Sequence, residues 1–290
     1  MIDLLSRSRR QKVRSGRPVT DRHWREVGPG LLAVVLALLM GLFLIVPTLA
    51  LFWRTMTLTG AVRLDYGAVS AAVTLSLGTT AVSVAAIFLL GTPLAYFMAR
   101  YQFRLKGLVS AMIELPIVMP PVVAGLALLA AFGRRGLIGL HLANLNINIT
   151  FSVTAVVLAQ VFVAAPFYIR AAQSRFESLP REYEDAAAVD GADQWYTFWH
   201  ITLPLSVRAM LVGLILSWAR ALGEFGATIL FAGNIQGRTQ TMPLLVYSAL
   251  ERDLRVTFVT AVILLALAAL SFGFTRWLVG LDRSEGDVVL

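Results

Sequence analysis

The chain has 290 residues, 58% of them hydrophobic and 14% charged, and its mean hydropathy of +0.74 lies above the range of soluble domains. It has no cysteine, which excludes disulfides, thiolate metal sites and thiol nucleophiles, and its histidines, His23, His141 and His200, stand too far apart for an H-E-x-x-H pairing. A net charge of +8 and a pI near 10.4 would fit nucleic acid if the basic residues formed one patch, but they collect beside apolar segments, as membrane topology requires.

Crossing a bilayer takes about 20 predominantly apolar residues, and six segments are read this way. Residues 31–53 carry no charge; they are too long and too deep in the chain for a cleaved signal and read as a retained anchor. Residues 68–99 are also uncharged and exceed one crossing, so their ends must tilt or emerge. Residues 108–132 carry only Glu114, and Pro116, Pro120 and Pro121 must kink or break that helix, since proline cannot donate its backbone hydrogen bond and clashes with the preceding turn. Broken helices are tolerated in membranes where they line a cavity, so these prolines are candidates for a gate as well as for a packing kink. Residues 151–169, 207–232 and 257–275 complete the set.

Eight basic residues precede the first span, between Arg7 and Arg25. Others follow the second span (Arg100, Arg104, Lys106), the fourth (Arg170, Arg175, Arg181) and the sixth (Arg276, Arg283), with fewer in the alternate loops. The positive-inside rule then places both termini in the cytoplasm, with the N-terminal cluster touching lipid headgroups rather than nucleic acid. The expected organisation is a basic cytoplasmic tail at 1–30, the first helix at 31–53, a five-span core at 68–279 and a second cytoplasmic tail at 280–290.

The loop at 174–205, between spans 4 and 5, is too polar to cross the membrane. Pro180 suits a first helical turn, Glu182, Glu184 and Asp185 stand where the helix dipole favours negative charge, and three alanines from Ala186 give a smooth helix that Gly191 can close in a left-handed cap. Asp193 can cap a second short helix carrying Trp195, Phe198 and Trp199, before Pro204 leads into span 5.

In this loop Asp185, Ala186, Ala187, Gly191, Ile201, Leu203 and Pro204 match the spacing of E-A-A-x3-G-x9-I-x-L-P, and the chain resembles the permease subunits of ATP-binding-cassette importers. The aspartate replaces the usual glutamate and Glu184 stands just before it, so which carboxylate takes the family role stays open. The resemblance implies an all-α transmembrane fold, a six-helix type I importer permease whose loop carries a cytoplasmic coupling helix that docks on an ATPase. It also implies a second copy of the chain, two cytoplasmic ATPase subunits that hold ATP and magnesium, and an extracytoplasmic oxyanion-binding protein. Neither Lys12 nor Lys106 lies in a G-x4-G-K-[ST] frame, so ATP hydrolysis is expected from the partner; no cofactor, metal or nucleic acid is expected on this chain, and no catalytic constellation is seen.

Within that family, GTPLAYFMAR (91–100), ELPIVMPPVVAGLALL (114–129) and SWARALGEFGATILFAGNIQGRTQTMPL (217–244) look like the molybdate, tungstate and sulfate group, with molybdate first and tungstate next. A sulfate or thiosulfate permease is the alternative. An ion-coupled secondary transporter would share the intramembrane charges but would not need the loop signature.

In span 5, Gly213, Ser217, Arg220, Glu224 and Thr228 recur at helical spacing as one polar stripe. A mid-membrane charge costs about 2.5–3.5 kcal/mol on insertion scales, so Arg220 and Glu224 are expected to pair, either locking the bundle or facing the path. Ala219, Gly223 and Ala227 offer a smooth adjoining face. Beyond span 5, Arg238, Thr239, Gln240 and Thr241 are candidates for docking the binding protein, beside the plainer reading of a solvated loop.

Overall fold

The computed structural model describes residues 27–58 and 64–286, with side-chain surroundings for 31–58 and 64–273. The basic N-terminal tail up to Arg25, Arg63 and residues 287–290 lie outside the described residues. Among the described residues every regular element is helical. The chain divides into two compact units, Met1–Arg54 and Thr55–Leu290.

Helix α1 (Val27–Thr57) carries apolar side chains on all sides, exposed from Leu31 to Leu49. A helix without a polar face suits hydrocarbon on every side.

The second unit is built around α2 (Tyr66–Arg100), α6 (Val153–Ser178) and α9 (Leu203–Leu222). Helix α2 has 35 residues and spans about 52 Å, more than the hydrocarbon core, so it emerges at one end or both. Helix α6 is the central strut, contributing to two hydrophobic clusters. In one, Tyr168, Ala172 and Phe176 pack with Ile87 and Ala95 of α2 and Met210 of α9. In the other, Ala155, Ala159 and Val163 pack with Ala124 and Leu128 of α4 (Pro121–Phe132) and Phe231 of α10 (Gly226–Phe231).

Polar side chains tie the same helices together inside the membrane. Ser83 donates to Gln160 Oε1 at 2.9 Å, Thr92 and Tyr168 share a hydrogen bond, and Ser217 donates to the Ala164 carbonyl at 2.9 Å. Such bonds average only about 0.6 kcal/mol each between membrane helices, so close packing of alanine-rich surfaces carries most of the association.

The third span is broken as its prolines require. Helix α3 (Lys106–Val118) contains Pro116 and stops before Met119. Met119 (ψ 130°) and Pro120 (ψ 138°) are both extended, as a following proline ring favours by crowding the helical conformation, and Pro121 opens α4 at a first-turn position. Among the described residues five helical stretches are long and apolar enough to cross a membrane, and the broken third span supplies a sixth segment in two shorter pieces.

Span 5 differs from expectation. Its helix stops at Leu222, residues 223–225 are not helical, and α10 restarts at Gly226, so one stripe from Gly213 to Thr228 does not run along a continuous helix. Gly223 takes the position after the last helical residue, the place where a chain leaves a helix most easily. The proposed smooth face of Ala219, Gly223 and Ala227 is divided by the same break. Two short helices interrupt the connecting segments, α5 (Gly139–Asn144) and α11 (Met242–Leu250), the second within a stretch read from sequence as a loop. Helix α12 (Leu254–Gly286) continues well past residue 275.

Candidate functional site

Two constructions stand out: the signature loop at one end of the bundle, and the paired breaks of spans 3 and 5 within it.

The signature loop folds as α7 (Glu182–Val189), a turn, α8 (Gln194–Thr197) and a π-helical turn (Phe198–Thr202) that runs into α9. The acidic residues Glu182, Glu184 and Asp185 occupy the first turn of α7, where they oppose the helix dipole. Gly191 closes α7 at φ +87°, with nothing within 4 Å of the position a Cβ would take, so glycine is needed there for its backbone and not for space. Asp193 caps α8, accepting from the Tyr196 N–H at 2.6 Å. The second loop helix is not separate from span 5, as its sequence suggested. Pro204 cannot donate to the carbonyl four residues back; the preceding turn widens, with the Leu203 N–H reaching the Phe198 carbonyl, and the helix continues through the proline.

The residues of the signature separate by surroundings. Asp185 and Ala186 are exposed, while Ala187 is buried. Ala187, Gly191, Asp193, Tyr196 and Ile201 line a shallow open hollow between α7 and α8. Leu203 packs on the core and Pro204 is exposed at the start of α9. The neighbouring carboxylates, which the sequence left undistinguished, are distinct in the fold. Glu184 turns inward, receives Arg100 Nη2 at 2.7 Å and Nε at 3.1 Å, and accepts from Thr202 Oγ1 at 3.0 Å; Asp185 faces outward. Arg100 was read from sequence only as a topology charge. Its partner lies 84 residues away, and no local pattern marks it.

The two breaks meet. A Cβ on Gly226, at the start of α10, would lie 2.4 Å from Pro121 Cβ at the start of α4, and a Cβ on Gly125 would lie 2.8 Å from Leu230 Cβ. Helices α4 and α10 approach this closely because both contacts use glycine. Glu224, in the non-helical link, is 2% exposed; its Oε1 accepts from the Ala227 N–H at 2.8 Å and its Oε2 pairs with Arg220 Nη1 at 2.5 Å. The carboxylate therefore caps α10 and neutralises Arg220 at once, which satisfies a buried charge that would otherwise be costly. Ser217 and Thr228 are fully buried, and Thr228 Oγ1 has no partner within the described residues. Of the polar stripe, Arg220 alone reaches partial exposure, so these side chains form a joint in the core of the chain rather than an open polar surface.

Glu114 lies on α3, half exposed, and pairs with Arg170 Nη2 at 2.5 Å; the same guanidinium donates to the Ser110 carbonyl at 3.0 Å. This ties the first half of the broken span to α6. The outlook for Arg238, Thr239, Gln240 and Thr241 changes. Only Arg238 is exposed. Thr239 Oγ1 accepts from the Ile235 N–H, Gln240 donates to Asn234 and Ser248, and Thr241 stands buried at the start of α11. Thr239 satisfies a backbone N–H in the turn into α11 and Gln240 ties Asn234 to Ser248, while the buried Thr241 Oγ1 has no hydrogen-bond partner among the described residues. No cluster that would hold a metal ion occurs among the described residues.

An all-helical membrane bundle with two broken spans and an acidic, glycine-capped loop helix is the architecture of an importer permease. Residues 91–283 match the family of binding-protein-dependent transport system inner membrane components, and the chain belongs to that family: it is a multi-pass ABC importer permease. It is 43% identical over 199 residues to the molybdenum transport system permease protein ModB of Mycobacterium tuberculosis, covering 69% of this chain and 75% of that protein. It is 40% identical over 192 residues to the sulfate transport system permease protein CysW of Synechococcus elongatus, covering 66% of each. A solved bacterial ABC transporter involved in the import of the acidic polysaccharide alginate shares the fold, with a TM-score of 0.65 and 17% identity over 88% of this chain and 99% of that one.

Proposed function

We propose that this permease imports molybdate or tungstate, as a homodimer joined by two cytoplasmic ATPase subunits and fed by an extracytoplasmic oxyanion-binding protein. The substrate assignment rests on the likeness to the ModB protein across about two thirds of the chain. The comparable likeness to CysW favours a second reading, sulfate, a tetrahedral dianion of similar charge.

In this reading the α7–α8 loop is the coupling element. Its hollow around Gly191 and its exposed Asp185 and Val189 form the face presented to the ATPase. Both termini are then cytoplasmic, and Arg238 stands on the opposite side, available to the binding protein. ATP and magnesium belong to the partner; this chain contributes the path and its coupling. In the same reading one helix half reorients against the other at the apposed breaks of spans 3 and 5, at Pro120, Pro121, Gly223 and Glu224, with Pro116 and Glu114 in the first half of span 3; the breaks of both helices support this.

The test is radiolabelled molybdate uptake into proteoliposomes that hold the permease, its ATPase and its binding protein, with ATP enclosed and tungstate or sulfate in excess outside. ATP-dependent uptake that yields to tungstate and not to sulfate supports the proposal. Competition by sulfate alone moves the assignment to the second reading, and uptake driven by an ion gradient without ATP overturns both.

A further inference from the structure

The end of α2 and the loop helix α7 are joined by a buried ionic knot. Arg100 is the last residue of α2, and its side chain is only 7% exposed. All three of its nitrogens are used: Nε and Nη2 on Glu184 Oε1, and Nη1 on the Leu179 carbonyl at the end of α6, at 3.3 Å. Arg181 closes the ring from the other side, its Nη2 donating to the Arg100 carbonyl at 3.1 Å. The same Glu184 oxygen accepts from Thr202, in the π-helical turn that leads into α9. One carboxylate thus links α7, α2 and the root of α9, while one guanidinium links α2, α7 and the end of α6.

We infer that Arg100 is the positioning residue through which displacement of the α7 loop helix is transmitted to α2, so that the Arg100–Glu184 pair couples ATP hydrolysis on the partner to movement of the core bundle. The inference rests on the coupling role proposed above for the loop. Covalent continuity joins α7 to α6 through residues 179–181 and to α9 through α8, but nothing in the chain order joins it to α2. Helix α2 reaches from this end to the opposite one, where Ser76 accepts from the Met242 N–H at the start of α11 and Asp65 accepts from Gln236. A load on α7 reaches α2 directly, rather than by way of α6 or α9, only while the contact between α7 and α2 holds under force. Two charge-assisted bonds from a planar guanidinium converging on one carboxylate oxygen, anchored by a third to a backbone carbonyl, hold the helices in a direction that apolar contact does not. The charge is also shielded: Tyr96 and Tyr101 of α2 and its boundary, together with Gln194 and Thr197 of α8, line the groove around the pair.

Two measurements on the reconstituted complex test this, with the wild type run in parallel. The first compares uptake per ATP hydrolysed in the wild type, Arg100→Ala, Arg100→Lys, and the exchanged pair Arg100→Glu with Glu184→Arg. Lysine keeps the charge but loses the planar guanidinium. The expected result is ATPase copurifying at wild-type stoichiometry, uptake per ATP at least fivefold lower in Arg100→Ala, an intermediate loss in Arg100→Lys, and partial recovery in the exchanged pair. The second does not depend on which oxyanion is carried. Because the chain has no cysteine, single thiols at Tyr183→Cys on α7 and Leu90→Cys on α2, both exposed, accept spin labels, and their separation is read with and without trapped nucleotide. The distribution should stay narrow in both states with Arg100 present and should broaden on nucleotide trapping in Arg100→Ala. An Arg100→Ala complex with wild-type uptake per ATP, or with an unchanged label distribution, overturns the inference, and so does loss of ATPase copurification in both Arg100 variants. If the wild type itself shows no ATP-driven uptake, the function proposed above fails, and the label measurement still decides whether α7 and α2 move as one.

Discussion

Replacing Gly226 by alanine adds one methyl group where α4 and α10 approach each other most tightly. The Cβ would lie 2.4 Å from Pro121 Cβ, 3.3 Å from its carbonyl carbon and 3.4 Å from its Cα. Carbon atoms in good contact sit about 3.5–4.0 Å apart, so the first distance is short by at least about 1 Å. The obstacle is a proline ring at the start of α4, which cannot swing aside as the end of a long side chain would, so α4 and α10 must move apart. Overpacking of this kind costs about 1–3 kcal/mol. At about 2–4 °C per kcal/mol for a chain of this size, the melting temperature should fall by about 2–12 °C. Tryptophan fluorescence of the purified permease in detergent, with six tryptophans as probe, reads the transition. The control is Gly223→Ala, three residues earlier in the same break, where the new Cβ would first meet the Ala219 carbonyl oxygen at 3.5 Å, an ordinary contact. If both variants melt together, close apposition of the two half-helices does not support the fold, and the account of the paired breaks is wrong.

Arg220→Ala leaves Glu224 buried without its counter-charge and should cost about 3 kcal/mol; Arg220→Ala combined with Glu224→Gln should regain most of that, since the amide oxygen still accepts from Ala227. Thermal unfolding of the two variants checks the pair, and an equally unstable double variant would refute the electrostatic account. Gly191→Val forces a branched residue to φ +87°, at about 1–2 kcal/mol of local strain. With open space around it, the melting temperature should fall by no more than about 2–8 °C while copurification of the ATPase and ATP-driven uptake are lost; unchanged uptake would remove Gly191 from the coupling face. Asp193→Ala deletes the cap of α8 and should lower stability by about 1 kcal/mol, seen first as faster amide exchange at residues 194–197, and equal exchange rates would show that α8 is held by packing alone.

What the sequence determined by itself is what local chemistry dictates. Successive prolines at 120 and 121 remove two adjacent backbone donors and bias both Met119 and Pro120 away from the helix, so the third span breaks there. Gly191 at a left-handed cap and Asp193 at a helix start follow from single-residue preferences, and the fold realises both. Uncharged runs long enough for a bilayer announced the spans, because lipid demands apolar surface along the whole segment.

Tertiary structure decided whatever depends on a distant neighbour. Span 5 carries no proline at its break; Glu224 capping α10 and Pro121 seated against Gly226 make the interruption stable. The polar run from Arg238 to Thr241 reads as a solvated surface until α11 folds over it and buries three of the four. Glu184 and Asp185 are adjacent carboxylates of equal charge in the sequence. Their surroundings are separated by Arg100, which folding brings beside Glu184 from the end of another helix, and a contact between residues 84 apart leaves no periodic trace in the chain.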